Sequence, residues 1–179
     1  KISIKYPTIE LFSALIWFWA ISNYNFSQAL LFIWICSILI AIAFIDHETL
    51  QIPLPLIISA LLGILVYIFF NSNEWKIAFW GATMGIGYLS LVFLLTSIIF
   101  KKQTLGFGDI QLIAITGMFL GPINVLFSIF ISAFAALLVW VTTSFIIGFD
   151  RNRAIPFGPY LSISAIILYA IDINLFNLL

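Results

Sequence analysis

The sequence predicts an all-α fold, a polytopic membrane bundle of about seven helices, one of them half-length. Three observations lead there. Of 179 residues, 64% are hydrophobic and only 8% charged, whereas soluble domains carry about 25% charged residues. A soluble fold would need a polar skin that this composition does not supply, and a bilayer removes that need. The apolar residues also gather into runs, most of them long enough to cross a hydrocarbon core of about 30 Å, with short polar breaks between. Finally, the positive charges segregate to one side once those runs are laid out as alternating spans.

The runs follow in order. Tyr6 to Tyr24 is an adequate first span, with Glu10 near its start. Ala29 to Ile45 is the second and stops at Asp46. Pro55 to Phe70 and Ile77 to Phe100 are the third and fourth. Asp109 to Leu120 is too short, since its helix would rise only about 18 Å. It reads as a half-length helix that turns at Gly121-Pro122 and pairs with the long run Ile123 to Phe149. Ile155 to Ile171 or beyond closes the chain. Alternation places Lys1, Lys5, Lys101, Lys102, Arg151 and Arg153 on one side and only Lys76 on the other. The crowded side is expected to be cytoplasmic, with the N-terminus inside and the C-terminus outside. Trp75 and Trp80 flank an expected outer boundary, as an aromatic belt would. No internal repeat or low-complexity linker divides the chain, so residues 1–179 read as a single domain. The first residue is Lys1 rather than Met, and a preceding region is expected.

Charge and cysteine usage exclude several classes. The net charge is zero, so there is no basic field for nucleic acid. One cysteine, Cys36, and one histidine, His47, give no zinc spacing, and no metal site is expected in this chain.

Two of the seven acids need a functional explanation. Glu74 and Asp172 sit at outer edges and Asp150 lies in a basic loop, where solvation is cheap. Asp46 ends one apolar run and Asp109 opens another, on the same side of the layout. Ionisable groups at membrane depth are costly and usually face an interior cavity. Two wetted helix-end carboxylates are the plainer alternative. The turn Gly106-Phe107-Gly108 before Asp109 favours a site, because glycines at alternate positions clear one face of the backbone for an extended peptide. Two adjacent carboxyls that share a proton hydrolyse peptides without metal or nucleophile: one activates water, the other polarises the carbonyl. By helix position, Asp109 at a positive helix start is expected to be the ionised base. Asp46 at a negative helix end is expected to hold the proton.

These residues resemble the type IV prepilin peptidases, bacterial GxGD membrane aspartyl proteases. The stretches that carry the resemblance are IDHETLQIP from Ile45 to Pro53, LGFGDIQLIAITGMFLG from Leu105 to Gly121, and IPFGPYLSISA from Ile155 to Ala165. KYPTIELFSAL at the start is a weaker fourth. Together they cover essentially the whole chain in the family's order. The resemblance implies Asp46 and Asp109 as catalytic residues, with Glu10, Pro53, Pro156, Gly158 and Pro159 in supporting places. It implies a prepilin or secretion-system pseudopilin as substrate, a bacterial inner-membrane location among lipid, and proteolysis without a cofactor. Zinc and S-adenosylmethionine, with N-methylation of the new pilin N-terminus, are implied only for a full-length protein carrying the family's Cys-x-x-Cys region. Gln111 replaces the family's usual basic residue and Leu54 its usual Asp or Asn. Two alternatives use the same aspartates: an intramembrane protease of the presenilin or signal-peptide-peptidase type, and a proton- or cation-coupled transporter. The sequence assigns no oligomeric state.

Overall fold

The computed structural model describes residues 5–100, 106–150 and 155–171, and the side chains of 5–8 and 100 lie outside the description. Over these residues the chain forms α1 Lys5–Asn23, α2 Phe26–Thr49, α3 Leu54–Phe70, α4 Trp75–Phe100, α5 Phe107–Leu120, α6 Pro122–Ile147 and α7 Gly158–Ile171. The helical membrane bundle expected from composition is what forms, including the short α5 of 14 residues. Several residues used above fall outside the description: Lys1, Lys101, Lys102, Leu105, Arg151, Arg153, Asp172 and the side chain of Lys5.

Turn chemistry sets the helix ends. Leu50 closes α2 in the left-handed region, at φ 54°, and its N–H donates to the Asp46 carbonyl. Pro53 caps α3 and Pro55 lies in its first turn, where a missing N–H costs nothing. Gly121, at φ 80°, reverses the chain between α5 and α6, and Pro122 starts the new helix. Several ends differ from expectation by a few residues, and two of them bear on the site. α2 continues through Thr49, so Asp46 lies inside its last turn, because the polar run after Ile45 stays helical at the wetted end. α7 begins at Gly158 rather than Ile155, since a residue before proline is pushed out of helical geometry. Accordingly α2, α4 and α6 are long and apolar enough to span a membrane, while α1, α3, α5 and α7 offer shorter apolar lengths among the described residues.

α2 is the central post. Phe32, Ile35, Leu39 and Ile42 bury one face of it against its neighbours. α5 is also deeply buried, through Leu112, Ile113, Ile115 and Phe119. It lies so close to α4 that a Cβ on Gly81 would collide with the Gly117 carbonyl, and one on Gly117 with Gly81. Glycine contacts of this kind let membrane helices approach, where no hydrophobic effect drives them together. α6 and α7 are joined by hydroxyls: Ser164 lies 2.7 Å from both Ser128 and Ser132, all three buried. Outward, large apolar side chains are exposed all round, for example Phe18, Phe69, Ile98 and Phe130. Such a surface is satisfied by lipid.

At the end away from Asp46, Tyr169 of α7 stacks on Phe119 of α5 at 4.1 Å and on Phe32 of α2 at 5.1 Å. The Tyr24 hydroxyl donates to the Tyr169 carbonyl at 2.9 Å. Because α5 is short, its end leaves a polar cavity of about 430 Å³ beside the α5–α6 turn, lined in part by Gln28, Tyr67, Glu74 and Asn124.

Candidate active site

The site forms where three helix ends meet: the end of α2 and the starts of α5 and α7. Asp46 is buried, with 5% of its surface exposed. The first N–H groups of a helix have no partner within it. At α7 the Phe157 carbonyl accepts the first helical bond, from Leu161, so Gly158 opens the helix and Pro159 beside it has no N–H to give. The Gly158 N–H donates to Asp46 Oδ2 at 2.9 Å. A Cβ on Gly158 would lie 2.7 Å from the same oxygen, so a larger residue displaces the carboxyl.

Asp109 occupies the first turn of α5 and is half-buried. Gly106 precedes the helix in extended geometry, and its N–H donates to Asp109 Oδ2 at 3.0 Å. The Asp109 N–H returns a bond to the Gly106 carbonyl at 3.1 Å. This reciprocal cap fixes the carboxyl to its own turn. Phe107 points outward, 73% exposed. Gly108 passes under Ile52, whose Cβ would lie 3.1 Å from any Cβ at 108. The connection Ile52-Pro53 thus sits on the α5 turn.

The Gly158 bond and the Ile52–Gly108 contact bring Asp46 and Asp109 to the same end of the bundle. Like charges held close resist being ionised together. The helix-dipole contrast drawn from sequence changes here: Asp46 does lie near the negative end of α2, but it also faces the positive start of α7. Each aspartate therefore accepts a glycine N–H at a helix start.

The supporting positions divide. Gly158, Pro159 and Pro156 lie at or before the α7 start that meets Asp46, and Pro53 holds the α2–α3 connection. Glu10 is exposed on α1, away from the hydrogen bonds that hold the two carboxyls. Leu54 is exposed at the start of α3, and Gln111 is half-buried on α5. Sequence reasoning missed Ile52, whose only signal was its place beside Pro53. Beside the site, His47 and Pro159 border an open apolar groove of about 520 Å³ that continues along Phe44, Ile163 and Ile167. Cys36 is buried in α2, and no three of His, Cys, Asp and Glu converge among the described residues. These residues do not make a zinc site.

Fold and site together define a helical membrane protein with two glycine-tethered carboxyls, Asp46 and Asp109, at one end. The profile of the type IV leader peptidase family matches residues 32–141, a stretch that includes both aspartates. The chain belongs to the type IV leader peptidase family. It is 31% identical over 168 residues to the prepilin leader peptidase/N-methyltransferase of Pseudomonas putida, covering 92% of this chain and 58% of that protein. The protein of the same name from Xanthomonas campestris pv. campestris is 31% identical over 173 residues, covering 94% and 59%. That of Legionella pneumophila is 30% identical over 174 residues, covering 92% and 58%. The chain thus spans just under three-fifths of the length of these curated relatives. No solved structure matches it significantly.

Proposed function

We propose that this chain is an aspartic endopeptidase that removes the leader peptide of type IV prepilins or secretion-system pseudopilins at the cytoplasmic face of a bacterial inner membrane. One observation carries the reading: two carboxyls from different helices lie at the same end of the bundle, and each is held by a glycine N–H through one oxygen. In the reaction, the ionised carboxylate takes a proton from water as the water oxygen bonds to the scissile carbonyl carbon. The protonated partner gives its proton to the carbonyl oxygen. Collapse of the resulting diol breaks the C–N bond, the amine leaves with a proton, and the pair again holds one proton. The glycine-flanked start of α5 leaves room for an extended peptide, and the apolar groove beside His47 offers its hydrophobic part a lipid-side path.

The relatives' names also include N-methyltransferase. In our reading, methyl transfer from S-adenosylmethionine, and any zinc, belong to the further length of a full-size protein. No step of the proteolysis runs through them.

The test is cleavage of a synthetic leader-junction peptide by the purified chain in detergent. Asp46→Asn and Asp109→Asn should each lower kcat/KM at least about 10³-fold, toward the upper range for positioned acid–base groups, while the helical circular dichroism stays unchanged. Retained cleavage in either variant overturns the paired-carboxyl reading. Proton or cation flux through the reconstituted chain, without cleavage, would instead support transport.

A further inference from the structure

We propose that Gly158 is the positioning residue for Asp46: its backbone N–H holds Oδ2 in place, and its lack of a side chain gives the carboxyl the space it occupies. The inference rests on the peptidase reading and deepens it. Asp109 is oriented within its own turn by Gly106, three residues away. Asp46 has no such local device. Its helix runs on to Thr49, so the backbone N–H groups around it are engaged within α2. The orienting donor comes instead from 112 residues further along the chain.

Three features single out Gly158. It is the first residue of α7, so its N–H is free to point out of the helix. Pro159 follows and has no N–H to compete for the carboxyl. A side chain at 158 would place carbon 2.7 Å from Oδ2 and 3.0 Å from Cγ of Asp46. Such carbon contacts cannot persist, so even a methyl group moves the carboxyl. With Oδ2 tethered, Oδ1 is the oxygen left for the reaction. The same division holds at Asp109, where Gly106 takes Oδ2. The two carboxyls are therefore presented alike, one by its own helix start and the other by a neighbour's. The buried Ser128–Ser132–Ser164 cluster ties α7 to α6, and the Tyr169–Phe119–Phe32 stack ties its far end to α5 and α2. The donor is thus carried on a helix anchored to three others.

Two measurements on the full chain test this. First, Gly158→Ala should lower kcat for the leader-junction peptide about 10²-fold, the scale of a 1 Å misplacement of a catalytic group. KM should stay within about threefold, because substrate binding is not what the methyl disturbs. A folded Gly158→Ala protein with wild-type kcat overturns the proposal. The second measurement needs no activity. Carbonyl-¹³C phenylalanine with ¹⁵N glycine leaves signals from just two Phe–Gly pairs, those of Gly108 and Gly158. Removing the acceptor by Asp46→Ala should move the Gly158 amide proton upfield and leave the Gly108 signal in place. An unmoved Gly158 signal overturns the proposal, and it decides the matter alone if Gly158→Ala does not fold. Failure of the wild-type chain to cleave the peptide would count against the peptidase reading, while the amide comparison still reports on the Gly158–Asp46 bond.

Discussion

At the scale of single residues, the pair of aspartates governs how the chain should respond to pH. On the proposed mechanism the two carboxyls share one proton, so the two protons leave in steps that belong to the pair. Below the lower step both carboxyls are protonated and no base remains. Above the upper step both are ionised and no acid remains. Cleavage measured as kcat/KM against pH should therefore rise and then fall, with a single maximum. A profile that climbs to a plateau without falling would show that a shared proton is not required. Both aspartates were legible in the sequence, because a carboxyl bordering an apolar run has a cost that demands a reason. What holds each of them was less legible. Gly106 could be suspected from its closeness to Asp109. The Gly158 bond could not be derived, since a backbone N–H leaves no trace in residue identity and the partners lie 112 positions apart.

At the scale of elements, some helix ends were readable from glycine or proline, though the start of α7 was not. Gly121-Pro122 and the Pro53-x-Pro55 segment both fall where the sequence put them. The end of α2 was misplaced because apolar content stops at Ile45 while the helix continues to Thr49. Its terminator, Leu50, carries none of the usual signals. A leucine at φ 54° is strained, by roughly 1–2 kcal/mol relative to ordinary helical geometry. Leu50 is also 53% exposed, so it has little packing to lose. Leu50→Gly should stabilise the fold by about 0.5–1 kcal/mol, the relief of strain exceeding glycine's extra freedom when unfolded. A rise in the thermal midpoint in detergent, with cleavage unaffected, is the expected result. A lower midpoint would mean that the Leu50 side chain contributes more than the strain costs.

At the scale of the whole molecule, the bundle is apolar outside and places its polar features at its two ends. The paired aspartates lie at one end and the Glu74-lined cavity at the other. The proposed function has the aspartate end on the cytoplasmic side, which is testable in cells. Asn73 lies exposed in the turn between α3 and α4, and Thr49 is exposed at the end of α2. Cys36 is fully buried and should not interfere. An impermeant maleimide should label Asn73→Cys from outside intact cells and Thr49→Cys only after permeabilisation. The reverse pattern would invert the layout and remove the cytoplasmic assignment. The seven helices of the described residues were visible from composition and run length alone. The lateral order was not, because contacts such as Gly81 on Gly117 and Tyr169 on Phe119 depend on which helix faces join, and every face is nearly equally apolar.

The bond from Gly158 to Asp46 also bears on biogenesis. A nascent chain that has emerged through α6 already contains both acids and the complete Gly106–Asp109 cap, yet Asp46 has no tether until translation has delivered residue 158. On the proposed function, the catalytic pair is therefore completed only by the last described helix of the chain. A product that stops short of it, through a nonsense codon or failed insertion, carries both acids but lacks the tether that orients one of them.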